Sequence, residues 1–121
     1  MEIVIIIGRI LFGGLMAFSG INHFTSLKKI SAMARSKKVP APTLATLVTG
    51  ALLLLGGLSY LAWYQPFVGT VLLLVFFVPT TLFMNAFWQE KDPAKKENKM
   101  HGFMGNVSII GLLLVVLSLL S

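Results

Sequence analysis

The chain has 121 residues, 56% of them hydrophobic and only 12% charged, with a formal net charge of +6 and no cysteine. Soluble domains carry about 25% charged residues, so this composition excludes a chain that hides its apolar surface in a water-solvated core. The missing cysteines exclude disulfides, thiol redox chemistry and thiolate metal sites within the chain.

The first apolar stretch, residues 3–24, reads IVIIIGRILFGGLMAFSGINHF and is interrupted by one charge, Arg9. About 20 consecutive apolar residues suffice to cross a bilayer, which predicts span one at about residues 3–21. The chain opens Met1-Glu2, without the basic start or small-residue cleavage site of a secretory signal, so this segment is expected to stay in the mature protein. Arg9, Gly13, Met16, Gly20 and His23 recur at spacings of four and three and share one helical face. Small residues there let a neighbouring helix approach closely.

A basic connection follows over residues 22–42, with Lys28, Lys29, Arg35, Lys37 and Lys38 and no acid. Leu27, Ile30 and Ala34 repeat at helical spacing within it. Residues 26–36 therefore read as a short amphipathic helix lying on the membrane, with Thr25 or Ser26 available to cap it. Val39-Pro40-Ala41-Pro42 ends that helix, and Pro42 suits the first turn of the next.

No residue from 39 to 89 is charged, a length that fits two spans joined tightly at Trp63-Tyr64-Gln65-Pro66. Span two is predicted at about 43–62, with Thr46, Gly50, Leu53, Gly57 and Tyr60 on one face. Span three is predicted at about 67–88. It contains Pro79, which leaves the Val75 carbonyl without its helical donor and predicts a kink, with Thr80 or Thr81 available to that carbonyl. Thr81, Asn85 and Trp88 fall on one stripe. A charged connection over 89–99 contains Asp92-Pro93, a helix-start signal. Span four is predicted at about 102–120, with Asn106 near its entry. The expected fold is an all-α, four-helix transmembrane bundle in one domain, with the basic amphipathic segment between spans one and two.

Nine of the ten Lys and Arg residues lie in the 22–42 and 89–99 connections, and the tenth is Arg9. The positive-inside rule then places both connections in the cytoplasm and both termini outside a cell membrane crossed several times. The basic connection lacks interleaved aromatics for base stacking, so it is read as a contact with anionic membrane lipids and not with nucleic acid.

The order of these signals resembles the DoxX family of small four-helix membrane proteins. The matching residues are Gly8-Arg9, Ser19-Gly20-Ile21 with Phe24, Val39-Pro40-Ala41-Pro42, and Gly50 with Gly56-Gly57. Further along they are Phe87-Trp88, Asp92-Pro93, and Phe103-Met104 with Asn106. Three positions depart from the family pattern. Leu53 stands where relatives often carry glutamate, Asn85 where they often carry histidine, and Gly105 where lysine commonly precedes the asparagine of span four. The resemblance implies a membrane component of a redox system. The family takes its name from a subunit linked to a thiosulfate:quinone oxidoreductase, and other members are associated with thiol and oxidative-stress functions.

The candidate ligand-binding residues are Arg9, Tyr60, His23, Asn85 and Asn106. Arg9 is read either as an anchor for an anion or a quinone oxygen, or as a cation that snorkels to lipid phosphates or bonds carbonyls, Tyr60 or Gln65. Its nearness to the outer edge favours the second. Span two brings Leu53 within possible reach of Arg9, so the two are expected to face each other. Asn22, His23, Asn85, His101 and Asn106 read either as a polar pocket mouth or as interhelical hydrogen bonds of about 0.6–2 kcal/mol each, the latter favoured. Two histidines without carboxylate or cysteine neighbours make a poor metal site. No nucleophile with its base, paired carboxylates or phosphate-binding glycine loop is present, and no cofactor is expected within the chain beyond a quinone held between helices. Two function classes follow: a quinone- or lipid-binding component of a redox system with a redox partner, or a non-enzymatic accessory or assembly protein bound to another membrane protein; a small-molecule carrier is a third, less favoured class.

Overall fold

The computed structural model describes residues 2–84 and 87–121. The described residues form helices α1 (Glu2–Thr25), α2 (Leu27–Ser36), α3 (Pro42–Ala62), α4 (Pro66–Met84) and α5 (Pro93–Leu120), with a 3-10 turn at Phe87–Gln89. No strand occurs among them. Four helices are long and apolar enough to cross a membrane, so the fold is an all-α transmembrane bundle.

The helices pack in a row, α1 on α3, α3 on α4 and α4 on α5. The first contact is backbone against backbone. Gly13, Ala17 and Gly20 are the buried residues of α1. A Cβ on Gly13 would stand 2.7 Å from the Gly57 carbonyl oxygen, and one on Gly20 would stand 2.6 Å from the Leu54 nitrogen. A Cβ on Gly57 would collide with the Ala17 nitrogen. As position rises along α1 it falls along α3, so the pair is antiparallel. Leu53, Tyr60, Leu73, Phe76, Phe77 and Leu113 form the buried core between α3, α4 and α5.

α1 runs one turn beyond the expected end of span one, and this changes how α2 begins. The Ser26 amide donates to the Asn22 carbonyl at 2.9 Å, which continues the α1 ladder. The Ser26 hydroxyl turns back to Asn22 Oδ1 at 3.3 Å and makes no cap bond, contrary to the expectation that Thr25 or Ser26 caps α2. α2 also packs against the bundle. Ser31 and Ala34 are buried, and the Ser31 hydroxyl donates to Thr46 Oγ1 of α3 at 3.4 Å.

Pro42 opens α3 as predicted, after Ala41 in the left-handed region. The α3–α4 turn also falls where expected. Trp63 and Gln65 both adopt positive φ, 53° and 51°. The Ser59 hydroxyl fastens this turn by reaching the Tyr64 carbonyl at 2.7 Å and the Gln65 carbonyl at 3.0 Å. Asp92 caps α5, its Oδ1 accepting from the Ala94 amide at 3.2 Å, with Pro93 in the first turn. α4 continues through Pro79. Thr81 is buried and does not serve the Val75 carbonyl. Its Oγ1 has no hydrogen-bond partner among the described residues.

The α1–α3 contact generates a direct test. Gly20→Ala is expected to lower the free energy of unfolding by about 1–3 kcal/mol, because its Cβ meets backbone that cannot swing aside. A Cβ on Gly14 meets nothing within 4 Å. Gly14→Ala is expected to leave stability unchanged or raise it by up to ~1 kcal/mol. Equilibrium unfolding in detergent micelles measures both.

Candidate functional site: an apolar groove with an arginine in its wall

Arg9 lies on the face of α1 that the glycine spacing predicts. Its guanidinium meets the last turn of α3. Nε donates to the Tyr60 carbonyl at 3.1 Å and Nη2 to the Leu61 carbonyl at 3.1 Å. These carbonyls belong to a helix C-terminus, where the last four lack intrahelical donors and the macrodipole is negative. A cation placed there meets both needs at once. The guanidinium also stands 5.1 Å from the centroid of the Trp63 ring, a cation–π contact. Arg9 therefore bonds the chain itself, as one of its two expected readings held.

Leu53 is not opposite Arg9. It sits seven residues before Tyr60 on α3, about 10 Å deeper at 1.5 Å per residue. There it is buried with Leu73, Phe76 and Leu113. The antiparallel register set by the glycines places Leu53 at the level of Ala17 and Gly20, which is why the expected Arg9–Leu53 approach fails.

Tyr60 is buried beside this anchor. Its ring packs on Phe12, with centroids 5.1 Å apart, and on Trp63 at 5.9 Å. Its hydroxyl and the Thr70 hydroxyl are 2.6 Å apart, and the Thr70 hydroxyl also reaches the Pro66 carbonyl at 2.8 Å. Thr70 and Ser59 are polar residues that the sequence reading passed over. The signal available for both was a hydroxyl within one turn of the Trp63–Pro66 break.

Between α1 and α5 lies a groove of about 410 Å³. Gly8, Arg9 and Phe12 line it from α1, Tyr60 and Trp63 from α3, and Leu113 and Val116 from α5. Its walls are apolar except at Arg9. Tyr60 and Arg9, two of the predicted site residues, are thus brought together. His23 and Asn106 lie outside this groove. The half-buried His23 ring holds Nδ1 2.8 Å from the Ser19 carbonyl and faces Phe76 edge-on at 6.0 Å. Asn106 is half-buried on α5, Asn22 is exposed, and Asn85 lies outside the described residues. His101 is exposed, 3.7 Å from Glu97. Among the described residues, no three His, Cys, Asp or Glu side chains gather as a metal site would require.

The other end of the bundle is polar. Lys99 Nζ pairs with Glu90 Oε2 at 2.8 Å. The hydrogen bond from Lys99 and that from the Asp92 amide hold the Glu90 carboxyl below the usual range. Phe87, Trp88 and Phe103 pack edge-on with centroids 5.3–5.6 Å apart. Such aromatic clusters suit the membrane–water interface.

Four apolar helices joined by short polar connections, with a lipid-facing groove between the first and last, define a multi-pass membrane protein. The match to a family model described as DoxX, over residues 4–86, makes the assignment specific: the chain belongs to the DoxX family. The matched stretch covers more than half of the chain and ends before Phe87-Trp88, so the resembling motifs of the last connection and α5 lie beyond it. No curated protein and no solved structure matches this chain.

The role of Arg9 has a measurable consequence. Arg9→Gln is expected to lower unfolding stability by about 1–3 kcal/mol, from two charge-assisted bonds at a helix C-terminus. Arg9→Lys should recover only part, since one ammonium lacks the fork that spans two carbonyls. In a double-mutant cycle, Arg9→Gln and Leu53→Glu should be additive within about 0.5 kcal/mol. Strong coupling would place Leu53 beside Arg9 after all.

Proposed function

We propose that the chain binds an amphipathic membrane molecule of the quinone or lipid class in the α1–α5 groove, as a component of a membrane redox system. The observation that carries this reading is the groove itself, about 410 Å³ of apolar space with Arg9 in its wall. That volume falls within the roughly 300–1,000 Å³ typical of small-molecule sites. The chemistry fits the apolar part of such a molecule. An isoprenoid or acyl chain finds partners along Phe12, Leu113 and Val116. The guanidinium in the wall is held by the Tyr60 and Leu61 carbonyls, so the exposed lining is apolar and a polar head would sit at the mouth of the groove. The described residues offer no redox group, so electrons would pass to and from the bound molecule through a partner.

The same open seam supports a second reading. α1 and α5 leave apolar side chains uncovered on both lips, including Leu112 and Leu119. A transmembrane helix of another protein would cover them, as an accessory or assembly function requires.

Gly8 separates the two. It lines the groove, and a Cβ there meets nothing within 4 Å. Gly8→Leu is expected to fold normally while its side chain occupies the groove. Mass spectrometry of the protein purified in mild detergent should show a bound quinone or lipid that Gly8→Leu loses. A stoichiometric protein partner with no small molecule would favour the second reading. Retention of the small molecule by Gly8→Leu would move its site elsewhere.

We further propose that both termini and the Trp63 turn face outward and that the lysine-rich end faces the cytoplasm, on the charge asymmetry of the connections. The chain is free of native thiols. Single cysteines at Ser36 and Lys96 are expected to label from the cytoplasmic side and one at Gln65 from outside. The reverse pattern would invert the orientation.

A further inference from the structure

The polar end of the bundle holds a second concave site, with chemistry opposite to the groove. Ser36, Lys37 and Lys38, at and just after the end of α2, meet Gln89 and Lys99 around a cleft of about 180 Å³. The segment 36–38 and Lys99 are some sixty residues apart in the chain. The fold joins them because α2 is pinned to α3 through Ser31 and Thr46, while α5 begins beside the 3-10 turn. Lys38 holds a left-handed backbone, φ 62°, with its amide bonded to the Arg35 carbonyl at 3.0 Å. It is the left-handed residue that closes α2, with the Val39 amide bonded to the Ala34 carbonyl at 3.1 Å in a Schellman-type end.

The cleft has donors in excess. Three lysines, Lys37, Lys38 and Lys99, line it, and the nearby Glu90 carboxylate is already bonded to Lys99 Nζ at 2.8 Å. Each ammonium is a donor with no acceptor capacity, so Lys37 and Lys99 cannot satisfy each other while both are charged. The hydrogen bond with Lys99, burial and the Lys99 charge pull the Lys37 ammonium below the ordinary lysine range. A group with several acceptor oxygens and negative charge would supply what the cluster lacks. The aromatic trio of Phe87, Trp88 and Phe103 adjoins Gln89 and marks the same end as the level of lipid headgroups.

We propose that this cleft is a phosphate-binding site, in which Lys37 and Lys99 hold the anionic oxygens and Lys38 and Gln89 close around them. The phosphate is either the diester of an anionic phospholipid or a free ion. The site lies at the opposite end of the bundle from the apolar groove, so it stands independently of the ligand proposed there.

The test uses the full chain purified in a neutral detergent. Dioleoylphosphatidylglycerol and inorganic phosphate serve as separate probes, with binding read by native mass spectrometry and by tryptophan fluorescence of Trp63→Phe, which leaves Trp88. Lys37→Gln and Lys99→Gln are each expected to weaken binding about tenfold, the scale of one charge-assisted bond. Lys28→Gln with Lys29→Gln removes charge from the exposed face of α2 and should change it less than about twofold. Lys37→Gln leaves the Glu90–Lys99 pair intact, so its thermal midpoint without anion should be unchanged or raised, and Lys37→Arg should keep binding. Lipid binding without phosphate binding identifies a headgroup site, and binding of both identifies a general phosphate site. The proposal is overturned if neither probe binds, or if the Lys28/Lys29 change weakens binding as much as Lys37→Gln. Should Lys37→Gln fail to fold, Lys38→Gln carries the same comparison.

Discussion

The contact on which the rest of the structure depends is the near-touching of two backbones, α1 and α3, at Gly13, Ala17 and Gly20 against Gly50 and Gly57. In lipid no hydrophobic force drives helices together, so close packing must provide the attraction. Four glycines, with only a methyl group at Ala17, let main-chain atoms of the two helices approach directly. A Cβ on Gly50 would stand 2.7 Å from the His23 Cβ, so the close approach extends to the end of α1. This contact also sets the axial register of the pair. The register decides that Arg9 meets the last turn of α3 and not its middle, and so it determines both the capping of α3 and the position of the groove.

Much of this architecture was legible in the residues. The glycine face of span one, the shared face of Thr46, Gly50, Leu53, Gly57 and Tyr60, the Pro66 break and the Asp92-Pro93 start all carry local chemistry with a definite structural meaning. The partners of Arg9 were not legible in the same way. They are backbone carbonyls, which every residue possesses, so no residue type marks them. An antiparallel pair of helices can slide by a turn or two without changing any sequence pattern, and the expected pairing of Arg9 with Leu53 failed on a slide of about two turns. The lysine cleft was invisible for a related reason. Lys37 and Lys99 each look like an ordinary member of a basic connection until α2 is docked on α3 through Ser31 and Ala34.

The two ends of the molecule divide the work of living in a bilayer. At one end a single cation is absorbed into the fold, bonded to carbonyls and stacked on Trp63, and the space beside it is apolar. At the other end cations exceed anions, and the surplus is concentrated where α2, the 3-10 turn and α5 converge. The family membership places this chain among proteins of shared architecture. Leu53 lies in the apolar core of this chain and leaves the α1–α3 glycine contact in place.

The capping of α3 by Arg9 bears on how the chain enters the membrane. Synthesis runs from α1 toward α5, so Arg9 reaches the bilayer before the Tyr60 and Leu61 carbonyls exist. At that stage an arginine near the middle of a span costs about 2.5–3.5 kcal/mol, less toward the edge, and the isoleucine-rich start of α1 must offset it. Emergence of the α3 C-terminus then converts a liability into an attachment. The contact that holds Arg9 thus belongs to the pair of helices and not to α1 alone.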